Sequence, residues 1–419
     1  MRVIADLHIH SKYSRACSKD LELSNIARWC EKKGIEVCAT GDFTHPVWFS
    51  DIKNELEETS EGAYELKSKK SPTKFILGTE ISCIYKKNDQ VRRLHHNVYF
   101  PKLADVEKFI KALEDRGCNL RSDGRPIIGL SSQELLKIML DISSESIIIP
   151  AHAWTPWFAI FGSKSGYDSI EECFEDLTPH VHAIETGLSS DPPMNWRLSA
   201  LDKIMLVSNS DAHSLPNLGR EANAFDLEEI NYKNIFDIIR NCETKKFLFT
   251  IEFYPEEGKY HYDGHRDCKV RFSPAESKKH RGICPQCGKK LTLGVMNRVD
   301  KLADYDDGRK PKNFVPYKSI VPLDEILAEV FDQGVKTKKV NEAYEAMINK
   351  LGTEFEILLD TPVEEIKTHF GEMAGEAISR VREGRMIVEP GYDGEFGTVK
   401  IFSQEEKEAG KPKQKALFS

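Results

Sequence analysis

The chain has 419 residues, of which 40% are hydrophobic and 30% charged, and its formal net charge is −8. This length exceeds one ordinary domain, so we expect a globular protein of two or three domains, without a uniformly basic nucleic-acid coat. The sequence contains no apolar run of about 18 residues and begins without the pattern of a signal peptide, so we expect neither a transmembrane helix nor a secreted protein.

Ten cysteines are scattered along the chain, and several lie inside apolar runs, such as Cys38 in VCAT and Cys83 in ISCIY. Buried thiols of this kind are typical of proteins from a reducing compartment. We therefore expect a cytoplasmic protein whose cysteines are not paired in disulfides.

Seven short apolar runs in the first half of the chain predict β-strands, and amphipathic stretches such as LSNIARWCEKK separate several of them. Alternating strands and helices indicate a parallel sheet, here closed into a barrel, with the active site at the carboxyl ends of the strands. The runs are VIADL before His8, IEVCAT before Asp42, KFILGT before Glu80, NVYF after His96, SIIIP before His152, VHAI before Glu185 and IMLVSNS before Asp211.

The polar residues at these strand ends predict a metal centre. Residues two apart in an extended strand share a face, so His8 and His10 can converge on one point. Eight ligands are too many for one four-coordinate ion but suit two or three ions, with Glu80 as a bridging carboxylate. The alternative is that some of them are satisfied polar groups of the core. The candidate ligands are His8, His10, Asp42, Glu80, His96, His152, Asp211 and His213.

A second candidate metal site follows within residues 261–288. CPQCG supplies a C-x2-C knuckle with Cys284 and Cys287, and HRDC supplies His265 and Cys268, which is a suitable spacing for a structural zinc ribbon. Rival fourth ligands are His261 and His280. A redox CxxC is the less favoured alternative, because no thioredoxin-like strand precedes the motif.

The same module carries many basic residues, which predict contact with a phosphate backbone. Ordinary solvated lysines are the alternative interpretation. The residues are Lys269, Arg271, Lys278, Lys279, His280, Arg281, Lys289, Lys290 and Arg298.

The rest of the chain is helical in character and carries no catalytic set. LDEILAEVFDQG and VNEAYEAMINKLG show a helical period and end at glycine, and the polar, lysine-rich tail 401–419 predicts disorder. Gln414, Leu417 and Phe418 resemble the beginning of a peptide that binds the DNA sliding clamp, although the aromatic residues of that motif are missing. We therefore predict four parts: a metal-dependent barrel (1–250), a zinc-binding ribbon (251–300), a helical domain (301–400) and the tail (401–419).

DLHIHSKYS, TGDFTH, GTE, HHNVYF, PAH and SDAH occur in an order that resembles the motifs of the PHP family of metal-dependent phosphoesterases. The resemblance covers about residues 1–250 and implies a distorted (β/α)7 barrel. The second motif departs from the family pattern, so Asp42 is preferred over His45 as a ligand. In HHNVYF the pattern favours His96, with His95 supporting it.

The chemistry implied by such a centre is phosphoester hydrolysis, because closely spaced ions stabilise both the attacking and the leaving oxygen. The ions implied are Zn²⁺, Mn²⁺ or Mg²⁺, beside the structural Zn²⁺ of the ribbon. We expect Glu80 and Asp211 to take part in catalysis. Asp191, in LSSDPPMNW, is a candidate acid or base, with a helix N-cap as the alternative.

The order of barrel, ribbon and helical segment resembles the endonuclease Q family over nearly the whole chain, including RSDGRPIIGLSSQELL, YHYDGHRDC and EPGYDGEFG. This resemblance implies a prokaryotic, nucleoid-associated DNA-repair endonuclease. Such an enzyme cleaves on the 5′ side of uracil, hypoxanthine, xanthine or an abasic site. A deaminated or missing base is cheaper to extrude from the duplex, and loop 119–133 offers donors to read it.

Two other classes of function remain open. A small-molecule phosphatase would turn over a phosphomonoester but would leave the ribbon and helices without a ligand. A non-catalytic DNA-binding adaptor would have a decayed barrel, and it would bind no more than one metal beyond the ribbon.

Overall fold

The computed structural model of the protein describes residues 1–410. The predicted clamp-binding residues Gln414, Leu417 and Phe418 lie outside the described residues. Among residues 1–410, no helix has both the length and the apolar composition needed to cross a membrane.

Strands and helices alternate in the first part of the chain, as predicted. The strands are β1 (Arg2–Asp6), β2 (Val37–Ala39), β3 (Leu56–Ser60), β4 (Ala63–Leu66), β5 (Lys74–Ile76), β6 (Gly78–Lys87), β7 (Gln90–Tyr99), β8 (Ile127–Ile128), β9 (Ile147–Pro150), β10 (Ala183–Glu185), β11 (Met205–Val207), β12 (Ala222–Asp226) and β13 (Phe247–Glu252). The helices are α1 (Leu23–Lys33), α2 (Pro46–Glu55), α3 (Leu103–Glu114), α4 (Ser132–Ile142), α5 (Ile170–Phe174), α6 (Pro192–Trp196) and α7 (Tyr232–Arg240).

A distorted barrel has seven strand positions, one of which is shared by β5 and its continuation β6. β1 pairs in parallel with β2 and β2 with β5, and the chain continues through Leu77 into β6. β6 pairs with β7 and β7 with β9, after which the N–H of Ala153 donates to the carbonyl of Glu185 in β10. β10 pairs in parallel with β11, and a bridge between Ala212 and Ile9 returns to the segment after β1. The predicted α/β class with a distorted seven-stranded barrel is therefore confirmed.

The hairpin of β6 and β7 interrupts the parallel pattern, because β7 runs antiparallel to both of its neighbours. The beginning of the NVYF run therefore lies at the rim where the other strands end, and its histidines precede the apolar run. Asn88 and Asp89 connect the two strands with φ of 50° and 59°, as in a two-residue type I′ turn. This register places Glu80 opposite Asn97.

The barrel interior is filled by one apolar cluster that takes side chains from all seven strand positions and from α7. Ala5, Ile149 and Val207, for example, are fully buried. A larger cluster packs the surrounding helices and continues into the C-terminal part of the chain. The polar side chains at the strand ends therefore rest on a packed base and not on an open channel.

A small module follows the barrel, with β14 and β15 paired antiparallel. Its elements are β14 (Asp263–His265), a 3-10 turn (Arg266–Cys268), β15 (Val270–Phe272), α8 (Pro274–Lys279) and α9 (Val295–Leu302). Val270, Cys284 and Leu291 are the buried members of its separate apolar cluster. Such a small core gives little hydrophobic stabilisation, which is typical of modules that depend on a metal.

The predicted mainly helical C-terminal segment is confirmed. Its elements are β16 (Tyr317–Ser319), α10 (Leu323–Phe331), α11 (Lys338–Leu351), α12 (Glu354–Leu359), α13 (Val363–Phe370), α14 (Glu372–Glu383), β17 (Ile387–Glu389), β18 (Thr398–Lys400) and α15 (Gln404–Gly410). β12 pairs with β1, β13 with β12 and β16 with β13. One sheet therefore continues past residue 250, where the barrel was predicted to end. The C-terminal segment is thereby attached to the barrel through backbone hydrogen bonds.

The prediction of disorder was wrong for residues 401–410. Ile401 and Phe402 are each 2% exposed, and α15 follows them. Ser403 and Glu406 form a capping box at the start of this helix, and Glu406 also accepts two hydrogen bonds from Arg380. The tail is polar on average, so its composition did not reveal the two buried apolar residues or the capping box that begins the helix.

A buried ion pair connects the barrel with the helical segment. Lys33 of α1 lies 3.0 Å from Glu354 of α12, and both side chains are less than 5% exposed. Glu354 also accepts a 2.7 Å hydrogen bond from the hydroxyl of Tyr344 and one from the N–H of Leu323. Every polar atom of this carboxylate is thus engaged at the junction between the two parts.

We expect Lys33→Met to lower the free energy of unfolding by about 3 kcal/mol, because it leaves a buried carboxylate without its cation. Lys33→Met/Glu354→Gln should recover part of this loss, since the amide can keep the Tyr344 contact. The exposed pair Lys111–Asp115 is the control, and Lys111→Met should cost less than about 1 kcal/mol. Urea unfolding measures all three, and equal losses for the two single variants would contradict the role of the buried pair.

Candidate functional site

Four of the predicted ligands come together at the barrel rim: His8, His10, Glu80 and Asp211. Nε2 of His10 lies 3.3 Å from Oε2 of Glu80 and 3.1 Å from Oδ1 of Asp211. Nε2 of His8 lies 3.7 Å and 3.6 Å from the same two oxygens. We call these four residues the first ligand group.

The first ligand group fits a metal ion. Nε2 of His8, Nε2 of His10 and Oδ1 of Asp211 are buried and have no hydrogen-bond partner among the described residues. Such atoms are costly to bury unless something binds them. A tetrahedral ion with ligand distances of about 2.0–2.1 Å requires ligand atoms about 3.3 Å apart, which is the spacing found here. Two imidazoles and two carboxylates are ligands that suit Zn or Mn.

A second ligand group consists of Glu80, His95 and His152. Oε1 of Glu80 lies 2.7 Å from Nδ1 of His95 and 3.2 Å from Nε2 of His152. Oε2 of the same carboxylate faces the first ligand group. Glu80 therefore offers one oxygen to each group, which is the arrangement that a bridging carboxylate requires.

The structure brings His95, and not the predicted His96, to the ligand groups. Adjacent residues of a strand point to opposite faces, so only one of the two can reach the rim. His96 turns away: its Nε2 lies 2.8 Å from Oγ of Ser132, and its ring packs edge-on against Phe174. The antiparallel direction of β7, which is not visible in the sequence, decides which histidine faces the site.

Glu185 orients His8. Both of its oxygens lie 3.0 Å from Nδ1 of His8, so Nε2 is directed at the first ligand group. Glu185 also accepts hydrogen bonds from the amides of Asn97 and Asn209 and from the N–H of His152. A buried carboxylate behind a ligand histidine fixes its tautomer and raises its basicity. The sequence marked Glu185 as a strand-end residue but did not assign it this role.

Asp42, a predicted ligand, lies behind His10 and outside both ligand groups. Its Oδ1 lies 3.0 Å from Nδ1 of His10, while Oδ2 accepts hydrogen bonds from Ser11 and Ser14. One oxygen of Asp42 therefore orients that imidazole, while the two serines hold the other. His45, the rival in the same motif, stacks on Tyr13 with ring centroids 4.4 Å apart.

Two further predicted residues also lie outside the ligand groups. His213 packs its ring 4.6 Å from that of His10 and contacts the backbone carbonyl of Asp211 through Nδ1. Asp191 is the N-cap of α6, where its carboxylate accepts a 3.0 Å hydrogen bond from the N–H of Met194. Burial raises the pKa of Asp191 to about 6, and the negative charge of Glu256 adds to this rise. Asp191 therefore lies where the alternative prediction, a helix N-cap, placed it.

The rim backbone is strained at three functional residues. Asp42, His152 and Asp211 adopt φ of 46°, 30° and 47°, a region that residues other than glycine enter at a cost on the order of 1 kcal/mol. Each follows a different strand of the barrel. Beside them, a Cβ on Gly187 would lie 2.6 Å from Cβ of His152, so only glycine fits there. The packed barrel holds these conformations in place.

Arg125 is a site residue that the sequence did not single out. Its Nη1 lies 3.0 Å from Oε2 of Glu80, and about a quarter of its side chain is exposed. It belongs to loop 119–133, for which the sequence predicted contact with the damaged base. Gly124 lies so close to the rim that a Cβ would be 2.3 Å from the carboxylate of Asp42. The loop therefore covers one side of the ligand groups.

Charge governs the protonation of the ligand groups. Burial alone lowers the pKa of His8 and His10, but nearby carboxylates, chiefly Glu185 for His8 and Asp42 for His10, raise both well above the usual value. Burial alone raises the pKa of Asp211, but the two histidines hold it well below its usual value. Burial lowers the pKa of His95 to about 4 despite the attraction of Glu80. A bound cation must displace the protons of His8 and His10.

The predicted zinc ribbon ligands also converge. His265, Cys268, Cys284 and Cys287 offer ligand atoms that all lie within 4.8 Å of one another, and Sγ of Cys287 lies 3.8 Å from Nδ1 of His265. Gly288 closes the knuckle with a φ of 75°, and its N–H donates to the carbonyl of Cys284. The two alternative fourth ligands lie outside this group: His261 stacks on Tyr262, and His280 stacks on Phe272.

We expect the metal-free protein to lose stability as the pH rises above about 6.5, the unfolded-state pKa of histidine. The pKa values of His8 and His10 are raised in the folded state. Above about pH 6.5 the folded state therefore binds more protons than the unfolded state. The stabilisation that these protons give is lost as the pH rises and the two histidines deprotonate. The melting temperature with and without a divalent metal checks this expectation. The metal should raise the melting temperature more at higher pH. A melting temperature of the metal-free protein that rises with pH in this range would contradict the assignment.

Comparisons with known proteins find one family model and two relatives that match part or nearly all of the chain. The family model of the MJ0043 C-terminal domain matches residues 322–385. The uncharacterized protein MJ0043 of Methanocaldococcus jannaschii is 32% identical over 60% of this chain, which spans only 32% of that relative. The uncharacterized protein YqxK of Bacillus subtilis is 29% identical over 95% of this chain and 99% of its own length.

Two solved structures match nearly the whole chain. The lesion-specific endonuclease PfuEndoQ from Pyrococcus furiosus has a TM-score of 0.85 and 30% identity, over 98% of this chain and 99% of its own. Endonuclease Q in complex with a 27-mer duplex substrate, with an abasic lesion at the active site, has a TM-score of 0.83 and 31% identity, over 97% and 98%. This identity, over almost the full length of both proteins, shows that the chain belongs to the endonuclease Q family.

Proposed function

We propose that this protein is a DNA-repair endonuclease that hydrolyses the phosphodiester bond on the 5′ side of a damaged nucleotide. The damage comprises the deaminated bases uracil, hypoxanthine and xanthine, and abasic sites. The observation that carries the proposal is the pair of ligand groups joined by Glu80 at the barrel rim. The similarity to endonuclease Q, whose solved complex holds an abasic lesion at the active site, supports damaged DNA as the substrate.

The rim residues have distinct tasks in this proposal. His8, His10 and Asp211 would hold one divalent ion, His95 and His152 would hold a second, and Glu80 has one oxygen to offer to each. Ions so placed supply charge stabilisation for an in-line displacement at phosphorus and a hydroxide at neutral pH. Glu185 and Asp42 orient the histidines. Burial alone raises the pKa of Glu80, but the charges of His95 and Arg125 hold it well below its usual value.

We assign the recognition of the damaged base to loop 119–133. The contact of Arg125 with Glu80 supports this assignment, because it places the loop beside the ligand groups. A base that pairs poorly is extruded at lower cost, and backbone N–H donors of such a loop suit the carbonyl oxygen that deamination leaves. The module with His265 and three cysteines would hold a structural Zn²⁺.

Incision of labelled duplexes tests the function. Each duplex carries one uracil, hypoxanthine, xanthine or abasic site, and the nick is mapped in the presence of Mn²⁺, Mg²⁺ or Zn²⁺. We expect a nick on the 5′ side of the lesion, and a loss of at least about 100-fold for His10→Ala, because the variant removes a ligand atom. His180→Ala, at an exposed histidine of the same barrel, is the matched control.

Two outcomes would overturn this function. Lesion DNA that stays intact while a generic phosphodiester is cut would defeat the repair assignment. Turnover of a phosphomonoester without any cleavage of DNA would favour a small-molecule phosphatase.

We expect Cys287→Ser to remove the zinc of the module, because the small apolar cluster there cannot hold the knuckle without its metal. Elemental analysis should give one zinc fewer per chain, and limited proteolysis should begin within residues 261–290. Cys242→Ser is the control, since Cys242 lies outside the cluster. The zinc assignment fails if the two variants carry the same amount of zinc.

A further inference from the structure

An open groove of about 680 Å³ lies beside the barrel rim and is lined almost entirely by polar groups. Four parts of the chain form it: the β6–β7 hairpin, the segment 162–168, helix α5 and helix α9 of the zinc module. Its charged lining consists of Arg92, Arg93, Lys164, Arg298 and Lys301, with Asp168 and Glu172. Five cations therefore face two carboxylates, in a protein whose net charge is −8.

The positive charge of this groove is largely uncompensated. Asp168 is engaged by Arg298, which lies 2.6 Å from it, and Glu172 accepts a hydrogen bond from the backbone N–H of Asp168. Arg93, Lys164 and Lys301 form no ion pair within residues 1–410. A cluster of unpaired cations repels itself and is stabilised when an anion binds.

The wall of the groove is held rigid by two arginines. Arg298 is 9% exposed and donates hydrogen bonds to the carbonyls of Phe161 and Tyr167. Arg92 stacks its guanidinium on the ring of Tyr167 at 4.0 Å and donates to the carbonyl of Gly166. The Nε of Arg92 is buried without a hydrogen-bond partner among the described residues. A rigid wall loses little conformational entropy when it binds a ligand.

The groove lies near the ligand groups along β7. Arg93 precedes His95 by two residues in β7, which places both on the same face of the strand, about 7 Å apart. The segment that carries Lys164 begins at His152 and returns along β7, where Oγ of Ser165 donates to the carbonyl of Arg93. In one strand of a DNA duplex, phosphates follow each other at about 3.4 Å of axial rise. An anionic strand that passes through the groove can therefore reach the ligand groups within a few nucleotides.

We propose that this groove binds the backbone phosphates of the DNA strand flanking the bond that is cut, with Arg93, Lys164 and Lys301 as the contacts. The proposal rests on the proposed function for the identity of its ligand. Phosphate contacts fix the register of the duplex on the protein but read no sequence. The groove therefore positions DNA, whereas loop 119–133 recognises the damage.

Binding of a fluorescein-labelled duplex with one abasic-site analogue, measured over a range of salt concentrations, tests the groove. We expect Lys164→Glu/Lys301→Glu to raise Kd about tenfold or more and to reduce the slope of log K against log salt by about two, roughly 0.9 for each lost phosphate contact. Arg93→Gln should reduce the slope by about one. The loss should be equal for undamaged duplex, because the contacts are to phosphate.

Lys203→Glu/Lys245→Glu is the matched control. Both lysines are exposed and precede β11 and β13, at the end of the barrel opposite the rim, and this variant should bind like the wild type. Circular dichroism and metal content establish that each variant is folded. Groove variants with the Kd and salt slope of the control would overturn the proposal. A wild-type protein that binds DNA through the groove but incises no lesion would instead refute the proposed function alone.

Discussion

The carboxylate of Glu80 is the contact on which both ligand groups depend. Its two oxygens face different sets of histidines, so the groups exist as a pair only while this side chain keeps its position. Buried anions of this kind are stable only when cations or donors surround them. Arg125 and four histidines provide that surrounding, and Arg125 brings the covering loop with it. One buried negative charge thus organises the rim, the loop above it and the spacing of the ligands.

Around these ligands lies a ring of groups that hold them in place. Glu185 and Asp42 are fully buried, and each directs one imidazole through its Nδ1. Their own positions are set by neighbouring amides and hydroxyls, so the orientation of the ligands is fixed before any ion binds. The left-handed backbone at Asp42, His152 and Asp211 is part of the same arrangement. The packed barrel below supplies the stability that offsets this strain.

The apolar runs predicted the strands of the barrel, because a buried strand imposes a hydrophobic pattern on the sequence. They also predicted most of the residues at the rim. Residue type alone could not distinguish a metal ligand from a residue that orients a ligand. Asp42 and Glu185 are carboxylates that could bind a metal, but each contacts Nδ1 of a histidine, the nitrogen that points away from the first ligand group. His96 and His95 were indistinguishable because strand direction depends on pairing with distant residues. Arg125 was missed because a single arginine in a loop carries no local pattern.

The two-residue turn at Asn88 and Asp89 has a consequence for how this family can change. The turn sets the pairing of β6 with β7, and a slip of one residue would exchange the faces of His95 and His96. The tip lies roughly 20 Å from His95 along the strand, at about 3.4 Å per residue. Insertions and deletions usually accumulate in surface hairpins because they are harmless there. In this hairpin a change in length would move His95 away from the second ligand group, and the positive φ of Asn88 and Asp89 limits the turn to residues that tolerate a left-handed backbone.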